Sequence, residues 1–88
     1  MAYRVLLGAK AERVFRKLSV KDRERIREAL LRLETDPKRP RAGADIKALR
    51  GTSKLWRMRV GSWRAVYGIH ENDVLVTDIF PRGRGYYV

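Results

Sequence analysis

Residues 54–70 read KLWRMRVGSWRAVYGIH, and the way they pair decides the fold. Apolar and charged side chains alternate from Leu55 to Val60. Trp56, Met58 and Val60 fall on one side, Arg57 and Arg59 on the other. Alternation of period two marks a strand with two unlike faces. Gly61-Ser62 interrupts it. A glycine in the first central position of a two-residue loop suits a type II′ turn, because that position takes positive φ. Such a loop predicts that Val60 pairs with Trp63, Arg59 with Arg64 and Arg57 with Val66. Opposed residues point to the same face of a sheet. Arg57, Arg59 and Arg64 are therefore expected together on one face, with Trp56, Met58, Ala65 and Tyr67 on the other. Like charges opposed across two strands weaken the pairing by up to about 1 kcal/mol. Three guanidiniums on one small surface suit a polyanionic partner. They also suit a solvated face whose arginines stack on neighbours or meet acids elsewhere.

Outward from this hairpin, Tyr3 to Leu7 (YRVLL) reads as a short strand closed by Gly8. Ala11, Val14, Phe15 and Leu18 follow helical spacing. Ser19 with Asp22 three residues on is a variant capping box that starts a second helix. Its stripe is Ile26, Ala29, Leu30 and Leu33, and Glu28 and Arg32 stand at i, i+4. Asp36-Pro37 closes it, since the residue before proline disfavours the α region. The many arginines of this helical hairpin read as a solvated face. Residues 38–45 (KRPRAGAD) form a basic loop without apolar period, and Ile46, Ala48 and Leu49 form a short turn leading to Gly51. His70-Glu71-Asn72-Asp73 is a second turn, followed by a strand from Val74 to Phe80 (VLVTDIF). Its register stays open, because two- and three-residue loops put opposite parities on the core face. The order β-α-α-β-β-β predicts an α+β fold in a single domain, residues 1–88: a largely antiparallel sheet with a helical hairpin packed on one face.

The chain has 88 residues and a net charge of +11, a statement about partners rather than fold. Residues 1–37 carry ten basic and six acidic side chains, and residues 38–88 eleven and four, so the sheet half is the more one-sided. No cysteine is present, which excludes disulfides, thiolate metal sites and a thiolate nucleophile and fits a reducing, cytoplasmic setting. No apolar run approaches the roughly 20 residues of a membrane span, and the N-terminal apolar stretch is too short for a signal peptide and broken by Arg4.

No phosphate loop and no dinucleotide fingerprint occur. The lone histidine, His70, falls at a predicted hairpin tip, and Asp and Glu show no metal-ligand spacing. Neither a metal nor a small-molecule cofactor is called for. What remains is arginine and tyrosine. Arginine binds phosphate in a bidentate way and can stabilise charge developing on phosphorus. RNA brings its own nucleophile, the 2′-hydroxyl, so a ribonuclease need only position the strand and manage charge and protons. Tyr86 and Tyr87 suit stacking on unpaired bases, or packing at a strand end.

Taken in order, these pieces resemble the RelE/ParE superfamily of toxins from toxin–antitoxin pairs, on the RelE side. The carrying residues are an opening AYRV, a helix ending RKL, a second helix before a D-P break, then ALRG, the hairpin WRMRVGSWRAVYGI and a closing F-P-R-x-x-x-Y. The resemblance implies a ribosome-dependent endoribonuclease that cuts messenger RNA in the A site without a metal, by 2′-hydroxyl attack that leaves a cyclic phosphate. It implies a cognate RelB-like antitoxin, with the ribosome and messenger RNA as further partners and no membrane. Residue by residue, it assigns Arg57 and Arg59 to the sheet positions where some relatives have lysine. Arg64 takes the arginine of the family's G-x-R-x-x-Y stretch, read here as SWRAVY, Arg82 that of the closing motif, and Tyr86 its tyrosine. These five are the expected catalytic set, with Lys54, Arg50, Arg84 and Tyr87 as further RNA-binding positions. Three features depart from the pattern. Arginine keeps its proton above about pH 12, so Arg57 and Arg59 are poor general bases where lysine could serve. Pro81 stands where some relatives have histidine, and with Val88 the last residue no helix is expected after the closing motif. Phosphate clamping is thus assigned and proton transfer is not. A ParE-like poison of DNA gyrase and a non-catalytic RNA- or ribosome-binding module are the alternatives.

The charge generates one expectation of its own. Binding to single-stranded RNA should weaken steeply with salt, with a log–log slope of roughly −0.7 per phosphate contact. Titrations at several salt concentrations check this, and a flat response would point to an apolar protein partner instead.

Overall fold

The computed structural model describes residues 2–49, 51 and 54–83. Arg50, Arg84, Tyr86 and Tyr87 lie outside the described residues. The elements in chain order are β1 (Arg4–Leu7), α1 (Ala9–Lys17), α2 (Val20–Leu31), β2 (Asp45–Ala48), β3 (Leu55–Val60), β4 (Trp63–His70) and β5 (Asp73–Pro81). The strands form one five-stranded sheet in the order β1-β5-β4-β3-β2, antiparallel except for the parallel pair β1–β5. Among the described residues, no helix is long and apolar enough to cross a membrane.

The helices form as their patterns dictate. Ser19 Oγ accepts from the Asp22 amide at 3.1 Å, capping α2. Ala11, Ile26, Ala29, Leu30 and Leu33 are buried, with Val14 and Phe15 packed against them. They meet Met58, Val60, Ala65, Tyr67, Val74, Val76 and Ile79 in one core cluster, so both helices cover the same sheet face. The other face carries no helix among the described residues.

Several expectations need correcting. The α2 helix stops at Leu31 and tightens into a 3₁₀ turn over Arg32–Glu34, ahead of the Asp36-Pro37 break. Arg32 Nη1 donates to the Glu28 carbonyl at 3.4 Å rather than pairing with its carboxylate. The basic loop that follows is tied down by its own arginines. Arg41 donates to the carbonyls of Arg32, Asp36 and Arg39, and Arg39 pairs with Asp36 at 3.3 Å. Residues 45–48 are not a turn but the edge strand β2, in register Asp45↔Arg59, Ile46↔Met58, Lys47↔Arg57 and Ala48↔Trp56. Asp, Lys and Ala are weak strand formers, and pairing with β3 overrides that preference.

The open register of the last strand resolves in two stages. Glu71 and Asn72 form a two-residue loop, with Glu71 at φ 55°, so His70 opposes Asp73 and Val74 and Val76 face the core. Tyr67 opposes Val76 but Val66 opposes Asp78, which leaves Thr77 as an extra residue in β5. This bulge reverses the parity and brings Ile79 back to the core opposite Ala65. The Thr77 hydroxyl donates to the Val66 carbonyl at 3.3 Å, which satisfies an acceptor at the disturbed ladder.

Tyr67, fully buried, ties sheet to loop: its hydroxyl donates to the Pro37 carbonyl at 2.7 Å. Burial pushes the phenol's pKa well above its ordinary value. Tyr67→Phe removes the donor and leaves the carbonyl without it, a loss expected to cost about 1–3 kcal/mol. Denaturant unfolding with an unchanged m-value checks this.

Candidate functional site

The two-residue turn at Gly61-Ser62 forms as the sequence predicts. Gly61 has φ 58° and Ser62 no positive φ, as a type II′ turn requires. Arg57 opposes Val66, Arg59 opposes Arg64 and Val60 opposes Trp63. Arg57, Arg59 and Arg64 therefore share the helix-free face, where β2 adds Asp45 and Lys47 and β5 adds Phe80 opposite Arg64. The Arg82 amide donates to the Ser62 carbonyl at 2.7 Å, which fastens the end of β5 to the β3–β4 turn and brings Arg82 to this corner.

Arg59, Arg64 and Arg82 line one cavity of about 280 Å³ together with Gly61 and Asp45. Arg59 Nε donates to Asp45 Oδ2 at 2.6 Å. Arg64 Nη1 donates to the carbonyls of Gly61 at 3.1 Å and Trp63 at 2.9 Å, which anchors its guanidinium over the turn. Burial pulls the Arg64 pKa below the ordinary arginine value. The charges of Arg59, Arg57 and Arg82 add to this, and Asp45 opposes it. Arg57 Nε is buried without a hydrogen-bond partner, and Val66 opposite it is fully buried although it points to this face. Long side chains thus cover the middle of the face.

The structure brings Arg57, Arg59, Arg64 and Arg82 together and leaves Lys54 apart. Lys54 stands at the far end of the hairpin, five residues and roughly 17 Å from Arg59 along the sheet. There, Leu6, Leu55, Gly68, Leu75 and Thr77 line an apolar trough of about 380 Å³, with Lys54, His70 and Asp73 at the same place. Arg50, Arg84, Tyr86 and Tyr87 are outside the described residues. Sequence reasoning missed Asp45 and Lys47. The signal was a short period-two fragment, D-I-K, with buried Ile46 between two charges.

Chemically, convergent guanidiniums make an anion site whose planar donors match phosphate oxygens. Among the described residues, no group of three or more His, Cys, Asp or Glu side chains could hold a metal ion.

Comparison with known proteins names the family. A model described as the ParE toxin of the type II toxin–antitoxin system parDE matches residues 5–86. The chain belongs to this family, within the RelE/ParE superfamily, and is the toxin of a toxin–antitoxin system. Solved structures similar to it include several of RelE. The archaeal RelE of the RelE–RelB complex from Pyrococcus horikoshii OT3 is 29% identical, with a TM-score of 0.80 over 97% of this chain and 100% of that one. In the intact E. coli RelBE complex the similar chain is 25% identical, with a TM-score of 0.77 over 94% of this chain and 100% of that one. Isolated E. coli RelE, 24% identical, shares the fold with a TM-score of 0.78 over 96% of this chain and 88% of that one. No curated protein matches the chain in sequence.

The crowding of charge around Arg64 makes a stability prediction. Its two carbonyl bonds are exposed or partly so, and water can replace them, whereas its repulsion by Arg59 acts at the closest cross-strand position. Arg64→Gln should be at least as stable as the parent, with any gain in Tm fading as salt rises. Melting across a salt series checks this.

Proposed function

We propose that this toxin is a ribosome-dependent endoribonuclease that cuts messenger RNA in the A site and so stops translation in the cytoplasm. The observation that carries the reading is the convergence of Arg59, Arg64 and Arg82 on one cavity in the helix-free face, with Arg57 beside them. The 2′-hydroxyl of the RNA attacks the adjacent phosphorus, the bond to the 5′-oxygen of the next nucleotide breaks, and a 2′,3′-cyclic phosphate remains. Arg64 and Arg82 stabilise the charge that develops on the phosphoryl oxygens, and Arg64, anchored by two carbonyls and partly buried, is a preorganised donor suited to that role. Arg57 and Arg59 hold flanking phosphates, and Tyr86 orients or stacks a base. The 2′-hydroxyl gives up a proton as it attacks and the departing 5′-oxygen takes one up.

A RelB-like antitoxin is the proposed partner. The similar chains of the Pyrococcus horikoshii and E. coli complexes are crystallised with RelB. An acidic, amphipathic segment laid along this face would run from the basic cluster at one end of the hairpin to the apolar trough at the other.

The match to a ParE family model favours a second reading, a poison of DNA gyrase on the same fold. The arginine-dense face supports RNA over gyrase, and messenger cleavage in a translating extract separates the two. Arg64→Ala and Arg82→Ala should each lower cleavage by about 100-fold or more while melting like the parent. Tyr86→Ala should lose less, the roughly 1–3 kcal/mol of one stacked base. Variants that cut like the parent would remove the catalytic assignment, and variants that fail because they unfold would make these arginines structural.

A further inference from the structure

The arginine cavity contains a carboxylate. Asp45 is the acid among the described residues that line it, and β2–β3 pairing sets it directly opposite Arg59. On its other side Arg59 faces Arg64, also directly opposite. Arg59 is thus flanked by one attractive and one repulsive neighbour in the same row of the sheet. Its side chain is more than half exposed, at 56%, so packing does not hold it. A long, solvated arginine repelled from one side swings away unless something retains it. Asp45 Oδ2 takes the Nε–H at 2.6 Å. Contact through Nε leaves the terminal Nη1–Nη2 edge as the edge turned to another anion, and that edge binds phosphate as a fork.

A carboxylate also carries a cost at such a place, because it repels the phosphate that the arginines attract. A site built for affinity alone would do better without it. As a stabilising ion pair it is weak, since both partners are exposed. Orientation of Arg59 is what remains for it to supply.

We propose that Asp45 is a positioning residue, holding the Arg59 guanidinium in the cavity with its terminal edge presented to a phosphodiester of single-stranded RNA. The proposal rests on the endoribonuclease reading. Its signature is a split between affinity and rate. Asp45→Ala removes repulsion and restraint together, so RNA binds as tightly or more tightly while cleavage slows by about 10- to 100-fold. Asp45→Asn keeps an acceptor for Nε–H without the charge, so binding gains and the rate is restored.

The test uses the full chain and both variants. It measures binding of a single-stranded RNA oligonucleotide, messenger cleavage in a translating extract, and the Arg59 Nε–H signal by NMR, assigned by its loss in Arg59→Lys. The expected result is a resolved Arg59 signal in the parent and Asp45→Asn that broadens in Asp45→Ala, with the rate following the signal and the affinity not falling. Asp45→Ala cutting at the parent rate, or an Arg59 signal unchanged in it, overturns the proposal. Asp45→Asn as slow as Asp45→Ala also overturns it, pointing to proton transfer instead. A parent that cuts no messenger removes the endoribonuclease reading alone. In that case the oligonucleotide must still shift the Arg59 signal of the parent and not that of Asp45→Ala, or the positioning role falls as well.

Discussion

Arg59 stands directly opposite Arg64 because two residues, Gly61 and Ser62, connect their strands. The rest of the face follows from that short loop. One more residue in it would change the parity, turning one strand's arginines toward the helices and its apolar residues to solvent. Hydrophobic burial of Met58, Val60, Ala65 and Tyr67 therefore enforces an electrostatic arrangement that opposes itself. Burying several such side chains is worth several kcal/mol, against up to about 1 kcal/mol for an opposed like pair. The core wins, and the repulsion remains as a feature of the surface.

The charge of +11 divides into two populations once the contacts are known. Arg4 pairs with Asp73, Lys10 with Asp78, Arg16 with Glu12 and Arg39 with Asp36, while Arg41 caps three carbonyls. These cations organise the fold or decorate the helices. Among the described residues, Asp45 is the carboxylate that lines the cavity of Arg59, Arg64 and Arg82. Net charge counted both populations alike, and the arrangement of strands separates them.

The hairpin was legible because alternation and turn chemistry agreed on one register, and four of the proposed site arginines were named from it and from the closing motif. The helix start at Ser19 was legible for the same reason, since a cap and a stripe coincided. Strand β2 was not, because Asp45 and Lys47 have little intrinsic preference for a strand and only pairing with β3 makes them one. That is how Asp45, now central to the site, escaped notice. The last strand defeated a single-parity reading because its parity is not single: Val76 and Ile79 both reach the core across Thr77.

That extra residue makes β5 serve two layers in turn. Before Thr77 the strand gives its valines to the helices and Leu75 to the apolar trough; after it, Ile79 goes inward and Phe80 joins the arginine row. Shortening the strand by Thr77 would restore a regular ladder and transpose everything beyond it. Ile79 would turn outward, and Phe80 inward. The face would lose its aromatic neighbour to Arg64, and the bond between Arg82 and Ser62 would be out of step by one residue. An irregularity that looks like a defect in the ladder acts as a spacer: it lets one uninterrupted strand finish in phase with a turn that belongs to two others.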